Sequence, residues 1–178
     1  MFSVESIIYP WDNGMRYALA LLDDLSDDQM LLRPGGNMNH PAWILGHLCI
    51  YHPVVLALLK GESFEDPADD VIFGYSGNGP LADPDVYGNK ETQVQRFIDG
   101  HEAIAQALLS ATVEQMNRVP SMARWSEWYP TVEFMLPDLL LHHESCHIGQ
   151  LSIWRRAAGL PGVEFPDRTP REGLLGIR

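Results

Sequence analysis

Positive charge is what this sequence has least of. Only 12 residues are lysine or arginine, against 24 aspartate and glutamate, for a net charge of −12. So few cations leave phosphates without partners, which argues against nucleic acid and against anionic membrane surfaces. The acidity itself reads as solubility. Cysteine is nearly absent. Cys49 and Cys146 are the two, neither sits in a CxxC pair, and each lies in an apolar helical stretch. Two buried thiols in a cytoplasmic protein is the reading, with a bridge between them left open. No apolar run approaches the ~20 residues of a membrane span. The N-terminal stretch MFSVESIIYPWDNG lacks the basic segment and apolar run of a secretory signal. No stretch alternates with period two, so little or no sheet is expected.

What is present is a core and four helical stretches. Hydrophobic residues make up 46% of 178 residues, enough for one domain over 1–178. The first helix is expected from about Ser3 to Asp24, with Trp11, Met15, Ala18 and Leu22 on one face and Pro10 as a kink or a start. Leu25-Ser26-Asp27-Asp28 reads as a stop followed by a new cap. The second helix starts near Pro41 and stops at Lys60-Gly61. Residues 62–87 are long, acidic and rich in Gly and Pro, which suits a crossover along the outside of a bundle. The third helix is expected over Asn89 to Ala111, with Val94, Phe97, His101, Ile104 and Leu108 as its stripe. The Trp-rich segment SMARWSEWYPT follows, then a fourth helix from Val132 to Ala158. From about residue 160 the tail has no helical period. The fold class is therefore all-α: a four-helix bundle with a long crossover between helices two and three.

The seven histidines differ in the faces they occupy. At about 100° per residue, His143 and His147 lie within about 20° of Leu136, in the middle of the fourth helix's apolar stripe. They are one turn apart on one face, the spacing at which two imidazoles grip one ion. On the second helix His47 is central among Trp43, Tyr51, Val54 and Leu58. His142 and His52 point well away from their stripes, and His40 precedes its helix. Three imidazoles inside apolar stripes need partners for their nitrogens; a shared divalent metal on His47, His143 and His147 is the reading, with a structural polar cluster as the alternative. His101 is also central in its stripe, and is read as a fourth ligand, a base beside the site or a core residue.

Three neutral imidazoles leave coordination positions open, the arrangement of a catalytic site. The ion would activate a water or a thiol, for a hydrolase or a thiol S-transferase. Nitrogen ligands suit zinc, nickel, iron or copper, and the first three are expected. Catalytic candidates beside the ligands are Glu144, His101 and Tyr51. His143-Glu144-Ser145-Cys146-His147 also matches the HExxH pattern, with Glu144 as base. Ile148-Gly149-Gln150-Leu151 does not continue that pattern in the metzincin manner, and a protease would leave His47 unused. Pairing along the helix or solvation is the plainer reading of Glu144, and core packing that of Tyr51. Gln150 is placed for a hydrogen bond near the metal, and Arg155 and Arg156 to complement the helix dipole.

Two segments resemble a known family. Trp43-Ile44-Leu45-Gly46-His47-Leu48 resembles the first signature of the DinB/YfiT-like superfamily. His143-Glu144-Ser145-Cys146-His147-Ile148-Gly149-Gln150-Leu151, followed by Trp154-Arg155-Arg156 and Gly159, resembles the second. The resemblance spans roughly residues 5 to 160. It implies a four-helix bundle with a long crossover, a metal on His47, His143 and His147, and a homodimer. It also implies a small-molecule substrate, in characterised relatives a low-molecular-weight thiol such as glutathione, mycothiol or bacillithiol. The alternative is a bundle that binds metal or a small molecule without catalysis. The acidic crossover at 62–87 and the Trp-rich segment at 121–130 depart from the family pattern, and both would shape the pocket.

Overall fold

The structure, a computed structural model, describes residues 3–74, 79–172 and 174. Part of the crossover, residues 75–78, and the end of the tail lie outside the described residues, as do residues 1 and 2. The described residues form helices and turns, with no strand among them.

The first helix, α1, runs Glu5–Leu22 and contains Pro10 in its interior. Ser26 caps the short α2, Asp27–Met30, in a reciprocal box with Gln29. The expected second helix is two helices, α3 at Pro41–Cys49 and α4 at Tyr51–Lys60. Pro53 explains the break: it has no N–H for the Cys49 carbonyl, and its ring crowds that carbonyl. One lost hydrogen bond costs about 1 kcal/mol. Val54, Val55, Leu58 and Leu59 are all buried just beyond it, each contributing roughly 1.5–3 kcal/mol, so the rod stays in the core despite the break. Gly61, at φ 77°, ends it.

The crossover is more ordered than its composition suggests. Asp66 caps α5, Pro67–Phe73, and α5 docks on α3. A 3-10 turn, Pro84–Tyr87, precedes α6, Lys90–Leu109, whose cap is Asn89. Two single-turn helices follow, α7 at Val113–Met116 and α8 at Ala123–Ser126. The fourth rod is compound: α9 at Val132–Pro137, a wide π-helical segment at Asp138–His143, and α10 at Glu144–Ala157. The wide segment begins directly after Pro137, which cannot bond the Glu133 carbonyl.

Contacts close a ring of four rods. α1 packs on α6 and α10, and α3 packs on the same two helices. One hydrophobic cluster fills the centre, including Ile8, Ile44, Leu58, Phe97, Leu136 and Trp154. The stretch Pro41–Lys60 is long and apolar enough to cross a membrane, contrary to the expectation from its runs, with mean hydropathy 1.8. Of that stretch 89% is buried inside the protein, which makes it a core rod. The irregular tail returns along α1: Phe165 stacks on Tyr17 at 4.1 Å, and Arg171 pairs with Asp12 at 2.7 Å.

Three surface readings change. Cys49 is buried but Cys146 is exposed, and both are free. Arg155 is buried rather than a solvated dipole partner, gripping Asp24 at 2.6 and 3.0 Å and the Leu21 carbonyl at 2.8 Å. His52, off its stripe by face counting, is buried all the same, because α4 also meets α6.

Candidate metal centre

His47 projects from α3, His143 ends the wide segment and His147 lies one turn further along α10. One nitrogen from each lies within 4.8 Å of the others. The ring centroids of His47 and His147, and of His143 and His147, are each 4.6 Å apart. His47 is buried, while His143 and His147 are half-buried and form the side nearer solvent.

Hydrogen bonds fix which nitrogens face inward. His47 Nδ1 sits 2.6 Å from the Phe73 carbonyl. A carbonyl only accepts, so Nδ1 carries the proton and Nε2 presents its lone pair. His147 Nδ1 donates to Gln150 Oε1 at 3.3 Å, which leaves Nε2 inward in the same way. His47 Nε2 and His143 Nε2 face one another at 3.2 Å. Two nitrogens about 2.0–2.1 Å from one tetrahedral ion stand roughly 3.3 Å apart. The donor set is therefore compatible with a divalent cation.

Electrostatics keep the rings neutral. Burial first, then the neighbouring His147 and His47, pushes His143 down to about 3. Burial and His47 push His147 down to about 4. His47 is also lowered, by burial foremost, with the Phe73 carbonyl opposing. Neutral imidazoles are the form that binds metals.

The crossover helix holds the first ligand in place. Trp43 Nε1 donates to the Ile72 carbonyl at 3.0 Å, and its ring stacks on His47 with centroids 4.8 Å apart. With the Phe73 carbonyl, that makes two successive carbonyls at the end of α5 that orient α3. Gly46 permits this approach, since a Cβ there would drive into the Phe73 ring. His40 was placed simply before the helix; it is the cap of α3, its Nδ1 accepting from the Trp43 N–H at 3.0 Å. The signal was its position directly before a first-turn proline.

The other candidates separate. Tyr51 is at the site, its ring 4.6 Å from His143 and 5.3 Å from His47. Glu144 turns toward α1, where its Oε2 accepts from Trp11 Nε1 at 2.8 Å. It is buried there, not solvated, and burial raises its carboxyl to about 8 against the opposing Trp11 bond. His101 is fully buried, stacks on Trp11 at 3.7 Å and donates from Nε2 to Asp12 at 2.8 Å. His142 is exposed and pairs with Asp138.

A family model describing the DinB superfamily matches residues 11–151, a span that holds all three histidines. No curated protein matches the chain.

Proposed function

The chain belongs to the DinB superfamily, and we propose that it is a metal-dependent enzyme of small-molecule chemistry, with His47, His143 and His147 as its ligands. The observation that carries this reading is the convergence of nitrogens from three imidazoles, two of them half-buried and two held with an inward lone pair by their Nδ1 hydrogen bonds. A structural site closes all four positions with protein groups, whereas three ligands leave room for a reactant.

A divalent ion bound there would lower the pKa of a water or thiol and so supply a nucleophile near neutral pH. The chain's own residues do the rest. The Phe73 carbonyl and Gln150 hold His47 and His147 in the ligating tautomer. Trp43 and Tyr51 wall the site with aromatic faces, which limits water around a reacting group. The reaction classes that suit this arrangement are thiol S-transfer and hydrolysis, with zinc, nickel or iron as the ion. A homodimer is part of the same proposal.

Elemental analysis of the purified protein tests it. About one equivalent of metal is expected, lost in both His47→Ala and His143→Ala. Unchanged metal in His143→Ala would overturn the assignment. Assays of the metal-loaded protein with low-molecular-weight thiols and electrophiles, and with ester and amide substrates, then separate transfer from hydrolysis.

A further inference from the structure

The Trp-rich segment at 121–130 is built unlike the rods around it. Pro120 and Pro130 bound it, and neither has a backbone N–H to tie it to the bundle. The backbone N–H groups of residues 125–129 donate within the segment, to Met122, Ala123 and Trp125. Its single turn, α8, packs broadly on no helix among the described residues. Trp125 is the one buried residue of the segment, with Met122 and Tyr129 half-buried on either side of it. Trp128, three positions on, is 76% exposed. A segment with so little buried surface opens at a lower free energy than the rods do.

The buried ring adjoins the three histidines. Trp125 stands 6.2 Å from Tyr51, and Tyr51 stands 4.6 Å from His143 and 5.3 Å from His47. Trp125 also lines a cavity of about 500 Å³ that the segment shares with the start of the crossover. Its seat carries a cost. The indole N–H is buried and has no acceptor among the described residues, a loss that water makes good once the ring swings out. Two side-chain bonds oppose that movement. The Tyr129 hydroxyl donates to Asp138, the first residue of the wide segment that ends at His143, and the Ser121 hydroxyl donates to the Glu62 carbonyl. Burial foremost, and then the Asp138 carboxylate, raises Tyr129 to about 12, so its hydroxyl stays a donor.

We propose that residues 121–129 form a lid on the Tyr51 side of the three-histidine site, held shut by the Tyr129–Asp138 bond and opened by withdrawal of Trp125. Withdrawal bares Tyr51 and joins the cavity to the site. Closure restores the aromatic wall and limits water around a reacting group. What the lid admits rests on the proposed function; the movement itself does not.

Tyr129→Phe removes the latch and keeps the ring. Loss of a charge-assisted hydrogen bond corresponds to about a tenfold rise in the open population. The first measurement needs no metal: acetylation of tyrosines in the metal-free chain by N-acetylimidazole, mapped by mass spectrometry. Tyr51 should react about tenfold faster in Tyr129→Phe, while Tyr87, buried elsewhere, keeps its rate. The second is zinc capture and release, followed with a chromophoric chelator. A lid changes both rates by the same factor, so both should rise severalfold with Kd unchanged. An unaltered Tyr51 rate overturns the proposal. An equal rise at Tyr51 and Tyr87 also overturns it, because that marks general loosening. So does a changed Kd without a rise in both rates, which marks 121–129 as a structural support. If Tyr129→Phe does not fold, Trp125→Leu replaces it, since it removes the buried anchor and carries the same expectations. A chain that takes up no zinc would remove the proposed function, while the acetylation of Tyr51 still decides whether the lid opens.

Discussion

Two settings for histidine occur inside the bundle, and they differ in what the fold provides for them. On one side His47, His143 and His147 point nitrogens at each other with no carboxylate among them. On the other, His101 has the Asp12 carboxylate at 2.8 Å, Arg171 beyond it and Trp11 stacked on its ring. Burial is the largest cause lowering the basicity of both groups; at His101 Asp12 opposes it in part, while at His143 and His147 the neighbouring rings add to it. An imidazole supplied with a counter-charge has one nitrogen, His101 Nε2, answered within the fold. Three imidazoles that face one another are complete only with a cation between them.

The largest expected effect breaks the two sides apart. His143→Ala should abolish metal binding, and with it the stabilisation that metal confers on the unaltered protein, about 2.7 kcal/mol at a hundredfold excess over Kd. The metal-free stability of that variant should change little, since a half-buried ring with depressed basicity is removed. His101→Ala should do the reverse. It leaves a cavity under Trp11 and strips Asp12 of one donor, for a loss of about 2–4 kcal/mol with metal content intact. Urea unfolding and elemental analysis on both variants check this. Metal loss in His101→Ala would join the two sides into one site.

A smaller effect links the metal side to the crossover. Gly46→Ala forces the Phe73 ring away from α3, and the Phe73 carbonyl is what orients His47. Overpacking of this kind costs about 1–3 kcal/mol. Loss of an orienting partner lowers metal affinity by roughly 10–100-fold. Competition against a chromophoric chelator measures the second quantity. Wild-type affinity in a destabilised Gly46→Ala would show that the crossover only packs, and does not tune the ligand.

Face counting along the sequence put His47, His143 and His147 in apolar stripes, and the local cap at Ser26 was legible because it depends on a few neighbouring residues. Three kinds of feature were not. The wide turn at Asp138–His143 breaks the uniform 100° advance that the counting assumes. The burial of His52 and Glu144 depends on which rods meet, α4 with α6 and α10 with α1, and a single helix wheel carries no such information. The Phe73 carbonyl that holds His47 comes from a helix inside an acidic stretch read as irregular. Its cap Asp66 and the residues after it were a helix start in composition, and the Gly and Pro around them masked it.

The smallest effect is one of slope, and it sharpens the contrast at a histidine outside the proposed ligand set. His52 packs on Phe97, its ring centroid 5.7 Å away, in a space open only because residue 100 is glycine. Burial, and then the positive charge of His101 and Arg96, lowers His52 from 6.5 to about 3. The unfolded chain takes up a proton near pH 6.5, and the folded one does so only near 3. The stability that depends on neutral His52 is therefore fully present above about pH 6.5 and is lost progressively as pH falls toward 3. The limiting slope is about 1.4 kcal/mol per pH unit. His52→Gln removes the titration with little change in size. Its urea midpoint should fall less steeply than that of the unaltered protein between pH 6.5 and 5, by up to one proton's worth. The difference between the two slopes should be the same with metal and with chelator, because His52 is outside the ligand set. Acid acting on the three facing histidines, in contrast, competes with metal, and its effect should depend on whether metal is present. Equal slopes for His52→Gln and the unaltered protein would remove His52 from the acid response and leave it to the metal side alone.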